Sequence, residues 1–186
     1  MFAVMGAACL TGSLFFKKIE YYYMLHIAGH AFEALHFFML GINGVAGTYS
    51  SALMNVICLV MNVFLLTGKP WAKSAWTMAG FLAASAGLGV YAVLAPDFTM
   101  YALVPPVVLF VSTIVMWLKN NLILHIYQIT VSSPLFIWYN LSTGSIPNFF
   151  VEILNIIMTL IYFVRVFLDH RKKKAKGRSG IKSNGN

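Results

Sequence analysis

The chain has 186 residues, of which 60% are hydrophobic, 15% aromatic and only 10% charged, and its mean hydropathy is +0.78. A soluble domain carries about 25% charged residues, so this composition excludes an ordinary soluble enzyme, a disordered chain and a secreted disulfide scaffold. The net charge of +8 does not point to nucleic acid: six of the thirteen Lys and Arg residues lie between Arg171 and Arg178, and most others sit between apolar runs, as membrane-topology charge does.

The chain therefore reads as an integral, all-α membrane protein. A helix needs about 20 apolar residues to cross about 30 Å of hydrocarbon. Charges and Gly/Pro breaks divide the sequence into seven candidate spans, at 1–16, 20–41, 45–67, 72–93, 98–118, 120–141 and 146–168. The first is short and lacks the basic start of a signal peptide. Residues 169–186 are basic, then rich in Gly, Ser and Asn, and are expected to be disordered. Cys9 and Cys58 sit in separate apolar stretches, with neither a disulfide framework nor ligand spacing.

Charge sets the expected orientation. Lys17 and Lys18 follow span 1, Lys69 and Lys73 lie around the start of span 4, Lys119 separates spans 5 and 6, and the basic tail follows span 7. The loops at 42–44, 94–97 and 142–145 contain no Lys or Arg, and one carries Asp97. If seven helices alternate, every basic loop falls on one face. The positive-inside rule then puts the N-terminus outside and the tail in the cytoplasm.

Displacing the chain by 100 residues lays spans 1, 2 and 3 on spans 5, 6 and 7. Phe38 then falls on Trp138, Gly44 on Gly144, Asn55 on Asn155 and Ile57 on Ile157. Span 4 has no counterpart and acts as an inversion helix. The expected architecture is a 3+1+3 parallel repeat: a three-helix bundle over 1–67, a linking helix over 72–93, a second bundle over 98–168 and the tail over 169–186. Substrate sites of repeat-built transporters lie near the bilayer midplane, between the repeats.

The run His36-Phe37-Phe38-Met39-Leu40-Gly41, the Gly-rich turn after it and Ser51-Ala52-Leu53-Met54-Asn55 resemble the YgjV family of bacterial inner-membrane proteins. So does the second-half pattern from Trp138 through Gly144 to Asn155. The likeness covers about residues 10–168 and extends to the related SWEET, SemiSWEET and PQ-loop group of small transporters. It implies a multi-pass protein of the bacterial inner membrane. It also implies that Asn55 and Asn155, which match an Asn on the third helix of each SWEET triplet, line a central pocket. That group tends to carry a Pro in the first helix of each triplet. Pro105 and Pro106 supply it in the second half, but their counterparts are Met5 and Gly6. No Pro-Gln motif is present.

Several residues could carry the chemistry. Asn55 and Asn155 lie about ten residues, roughly 15 Å, below an outer helix end and so near the midplane. Their carboxamides suit the hydroxyls of a neutral polar solute, or act as interhelical glue. Asn62, one heptad beyond Asn55, could line the inner path, and Trp138 could cover the solute from outside. His26, His30 and Glu33 form a polar stripe on helix 2 with His36 at its edge. Such a stripe can relay protons, ligate a metal such as zinc, or simply pack. Nothing completes a metal cage, and none is assigned. Glu33 is expected to be neutralised or paired with a nearby His, and Glu152 to face an outer vestibule at a helix start. Pro105, Pro106 and Pro134 should bend their helices and serve as hinges.

There is no Walker loop, Rossmann glycine pattern, zincin helix or nucleophile–base pair, so neither an enzyme nor a bound cofactor is expected. The reading is a small SWEET-like transporter moving a small neutral polar solute, a sugar or nucleoside-like molecule, by alternating access. The alternatives are a non-transporting receptor, sensor or assembly protein, and a metal- or proton-coupled transporter using the helix 2 stripe. Beyond the solute, the expected partner is the lipid bilayer, with no nucleic acid; a homo-oligomer is left open. The topology has a direct check. A fluorescent protein fused after Asn186 should fluoresce, and alkaline phosphatase inserted at 142–145 should be active.

Overall fold

The computed structural model describes residues 1–13, 19–96, 98–118 and 120–182. Lys17, Lys18, Asp97 and Lys119, on which part of the topology reading rests, lie outside the described residues, as do 183–186. Among the described residues the regular structure is entirely helical: α1 (Phe2–Ser13), α2 (Ile19–Ile42), α3 (Thr48–Leu66), α4 (Ala75–Leu94), α5 (Val104–Trp117), α6 (Asn121–Tyr127), α7 (Ser133–Ser142) and α8 (Ile146–Lys182). Hydrocarbon dictates this, since a helix satisfies its own backbone where no water can. A π-helical turn at Gln128–Ser132 joins α6 and α7 into one continuous segment.

Six stretches among the described residues are long and apolar enough to cross a membrane: Tyr23–Ile42, Thr48–Leu66, Ala75–Leu94, Met100–Trp117, Leu122–Ser142 and Ile146–Val164. They coincide with the last six expected spans. The first expected span contains α1, which has 12 residues and extends about 18 Å at 1.5 Å per residue. The backbone of α8 continues as helix into the basic tail as far as Lys182, where composition argued for disorder. Lys, Arg and Ala are good helix formers, and a helix already nucleated grows at one bond per added residue.

Packing follows chain order and then closes on itself. α2 lies against α1 on one side and α3 on the other, and α7 likewise lies between α5 and α8. α3 touches α5, and α8 touches α1, so the helices form a ring with α4 set against α3 and α5. Glycine permits a close approach of α2 to α1: a Cβ on Gly29 would sit 2.7 Å from the Leu10 side chain.

The two ends of the ring are tied differently. At one end Ser74 caps α4 by accepting from Thr77 N at 3.2 Å, and Asn120 Oδ1 caps α6 by accepting from Leu122 N at 3.0 Å. Trp117 Nε1 donates to Ser74 O at 3.2 Å. That bond puts the end of α5 beside the start of α4, on the same side as Lys69 and Lys73. At the other end α2 and α7 finish in turns with the same bonding. Val45 N donates to Leu40 O at 3.1 Å and Ser145 N to Asn140 O at 2.8 Å, while Gly44 N reaches Gly41 O at 2.9 Å and Gly144 N reaches Leu141 O at 3.3 Å. This is a Schellman-type close, which needs a left-handed residue just past the helix. Gly44 and Gly144 supply it, with φ of 82° and 68°.

The prolines fall at helix starts. Pro105 and Pro106 occupy the first turn of α5, after a 3-10 turn at Met100–Leu103. The bend expected of them falls where the 3-10 turn passes into α5, inside the span Met100–Trp117. In the first turn the missing N–H has no intrahelical partner to lose. Both are buried, and Ser85 Oγ of α4 donates to Pro106 O at 2.7 Å. Pro134 is different. It opens α7 directly after the π turn, so the interruption expected there is present, inside a span. Proline removes one bond of the i→i−4 ladder, and a wider π turn accommodates the loss.

Gly47, at the start of α3, has φ of 70°, and a Cβ there would meet Thr99 Oγ1 at 2.8 Å and Ala102 at 3.0 Å. Gly144 has the same left-handed backbone but faces open space. Gly144→Ala should therefore cost about 1–3 kcal/mol from backbone strain alone, and Gly47→Ala distinctly more, measured by denaturant unfolding in micelles.

Candidate functional site

A polar seam runs through the interior of the ring, built from α2, α3, α7 and α8. Its first part joins α2 to α3. His30 Nδ1 lies 2.8 Å from Asn55 Oδ1, and Asn55 Nδ2 donates to Ser51 O at 3.0 Å. The second bond fixes which end of the Asn55 amide is oxygen. An amide oxygen only accepts, so His30 carries its proton on Nδ1. His26 lies edge-on to His30, with ring centroids 5.7 Å apart.

The second part joins α2 to α8. Glu33 is 5% exposed, and its Oε2 accepts from Asn148 Nδ2. The expected histidine partner is thus corrected to an asparagine of the last helix. One helical turn separates Glu33 from His30 and from His36, and those rings are engaged elsewhere. His36 Nε2 lies 2.9 Å from Ser145 Oγ in the turn before α8. α1 closes over Glu33 at a glycine: a Cβ on Gly6 would sit 2.5 Å from Glu33 Oε1.

The third part joins α7 to α8. Ser133 Oγ donates to Glu152 Oε2 at 2.7 Å, and Gln128 Nε2 donates to Ser133 Oγ at 3.2 Å. Asn155 Nδ2 reaches the same Glu152 oxygen at 3.5 Å. The π turn aims these groups. It carries Gln128 at its start and ends one residue before Ser133, so Gln128 holds the hydroxyl that in turn holds the carboxyl.

The expected site residues are thus distributed along the seam. Asn55 and Asn155 share no hydrogen bond: Asn55 is held by His30, Asn155 by Glu152. Asn62 is buried, with Nδ2 donating to Cys58 O at 2.8 Å and Oδ1 unpartnered. Trp138 is 47% exposed and faces away from the seam. The aromatic turned inward is its neighbour Tyr139, 0% exposed. Tyr139 Oη donates to Gly47 O at 3.2 Å, and its ring leans on Phe37 of α2 at 5.6 Å. Sequence reasoning missed Asn148, Ser133, Ser145 and Gln128. For Asn148 a signal existed, because Asn148, Glu152 and Asn155 recur at i, i+4 and i+7, a helical stripe. Among the described residues, no three His, Cys, Asp or Glu side chains are placed to hold a metal ion.

Six apolar spans wrapped around buried polar side chains define a polytopic membrane protein. The chain belongs to the Imp-YgjV family, described as a bacterial inner membrane protein, whose family model matches residues 1–170. Its location is accordingly the bacterial inner membrane. Neither the curated proteins nor the solved structures give a match.

The contact of Gly6 with Glu33 can be tested by coupling. Gly6→Ala should destabilise by about 1–3 kcal/mol through overpacking, despite the better helix propensity of Ala. In a Glu33→Ala background the same change should cost less, with a coupling of about 0.5–3 kcal/mol in a double-mutant cycle.

Proposed function

We propose that this protein is a small transporter that moves a small neutral polar solute, a sugar or nucleoside-like molecule, across the inner membrane by alternating access. The carrying observation is the seam itself: His30 with Asn55, Glu33 with Asn148 and Ser133 with Glu152, all within helices long enough to span. Polar groups at membrane depth are expensive, and they mark solute and ion pathways.

A 3+1+3 repeat is part of this reading, and two features support it. The turns after α2 and α7 share three backbone bonds at an offset of 100 residues. In the ring, the third helix of the first triplet (α3) meets the first of the second (α5), and the third helix of the second triplet (α8) meets α1, as a two-fold axis along the membrane normal would require. The resemblance to the SWEET group points the same way. In this proposal the halves rock about the π turn and Pro134, and the solute displaces the His30–Asn55 bond to reach both groups. No chemical step is involved, so the protein is not an enzyme.

Uptake and counterflow in proteoliposomes test this. A panel of labelled sugars and nucleosides should include one that enters saturably and exchanges against internal unlabelled solute. Asn55→Ala should reduce that exchange at least about tenfold, the loss of a hydrogen-bonding group worth about 1.4 kcal/mol or more. A solute that binds without counterflow would replace the transporter by a receptor.

A further inference from the structure

α8 does not end where its span ends. The span closes at Val164, the apolar residues Phe167 and Leu168 are exposed just beyond it, and the backbone remains helical to Lys182. α8 starts next to the outer part of α2, where His36 Nε2 meets Ser145 Oγ. It therefore emerges at the other end of the ring, on the side of Lys69 and Lys73. Residues 165–182 carry eight Lys or Arg, at 165, 171–174, 176, 178 and 182, against one acidic residue, Asp169.

The second observation is depth. The polar headgroup layer adds about 5–8 Å to each side of the hydrocarbon. Arg171 and Lys174 stand three and six residues beyond Leu168, which is about 4.5 and 9 Å along a helix axis, and a tilt only brings them nearer. One turn of four consecutive basic residues therefore lies at the level of the lipid phosphates. Successive residues are about 100° apart, so the four positions are distributed all around the helix, as in a collar. On the same side of the protein Lys69 and Lys73 are exposed, beside exposed Trp71 and Trp76, the residue type that settles at a membrane interface. A nucleic acid or an acidic protein in water would meet only Lys176, Arg178 and Lys182. A topology signal needs a number of charges but no common depth.

We propose that Arg171, Lys172, Lys173 and Lys174 form a collar that binds the phosphate groups of anionic phospholipids in the leaflet at this end of the ring, with phosphatidylglycerol as the probe. A basic residue near an anionic membrane surface is favoured about fivefold, and the collar holds four. The site needs only the extension of α8 and not the transport reading. It would fix the depth in the bilayer of the helix that carries Asn148 and Glu152.

The full chain is reconstituted in phosphatidylcholine vesicles that contain a trace of spin-labelled phosphatidylglycerol or of spin-labelled phosphatidylcholine. The motionally restricted part of each spectrum gives that lipid's association with the protein boundary. The wild type should prefer phosphatidylglycerol at least about twofold, the fivefold preference at the collar being averaged over the whole boundary. The preference should disappear in Arg171→Gln/Lys172→Gln/Lys173→Gln/Lys174→Gln. It should fall as salt rises from 0.01 to 1 M, over which the Debye length shrinks from about 30 to about 3 Å. Equal association of the two lipids with the wild type overturns the proposal. So does a preference that survives in the collar variant, or an equal or greater loss in Lys176→Gln/Arg178→Gln/Lys182→Gln or in Lys69→Gln/Lys73→Gln. Gln keeps a good helix propensity. Should the fourfold variant still fail to fold, Arg171→Gln/Lys172→Gln and Lys173→Gln/Lys174→Gln are measured separately, and loss of preference in neither overturns the proposal. These measurements read lipid association, so their failure leaves the counterflow experiment untouched, and failed counterflow leaves them untouched in turn.

Discussion

A carboxyl group surrounded by hydrocarbon must find its hydrogen-bond donor within the protein, because no water is there to supply one. Glu33 finds it in Asn148, 115 residues further along the chain, and much of the architecture is arranged around that bond. It ties the start of the last helix, which packs on α7 and α1, to the second. It requires a glycine at position 6, since α1 crosses directly over the carboxyl. One turn further along α8 stands Glu152, held by the Ser133 hydroxyl, which itself accepts from Gln128 at the start of the π turn. The helices have no hydrophobic drive to associate in lipid, where packing and polar contacts hold them together. Polar pairs link α2 to α3, α2 to α8 and α7 to α8, while the ring itself closes through the packing of α8 on α1.

The end opposite Lys69 and Lys73 is held by a different device. Tyr139 is enclosed completely, and its hydroxyl reaches the carbonyl of Gly47, 92 residues away. Around it stand Phe37, Tyr101 and Phe136, with ring centroids 5.6–6.2 Å away. The left-handed backbone of Gly47 turns that carbonyl toward the ring and lets Thr99 and Ala102 close behind it. At this end the α2 side of the ring is thus stapled to the α7 side by aromatic packing and one hydrogen bond. Deeper in the same interface the contacts are polar.

Much of the candidate site was legible. His30, Glu33, Asn55 and Glu152 stand out because polar residues at membrane depth are few, and each proves to be part of the seam. Their pairing was not legible. Glu33 looked toward the histidines of its own helix, yet residues on one helix compete with every neighbouring helix for a partner, and sequence spacing reports only the first kind. Asn148 was overlooked because it follows Pro147 at the beginning of a helix, where an Asn reads as turn chemistry. Trp138 and Tyr139 were adjacent aromatics at an expected interface. Successive residues on a helix point about 100° apart, so one must turn inward while the other faces out, and no count of apolar residues says which.

The sequence by itself determined that this is a helical membrane protein and where six of its spans lie, because the length of an apolar run is measured directly against the thickness of hydrocarbon. It also determined the matched turns, since Gly44 and Gly144 are required wherever a helix closes through a left-handed residue. Only the tertiary structure decided which polar groups meet, that Pro105 and Pro106 stand where a 3-10 turn passes into an α-helix, and that α1 covers Glu33. Hydropathy and glycine act within a few residues of chain. A hydrogen bond across 115 residues exists only after the helices have chosen their neighbours.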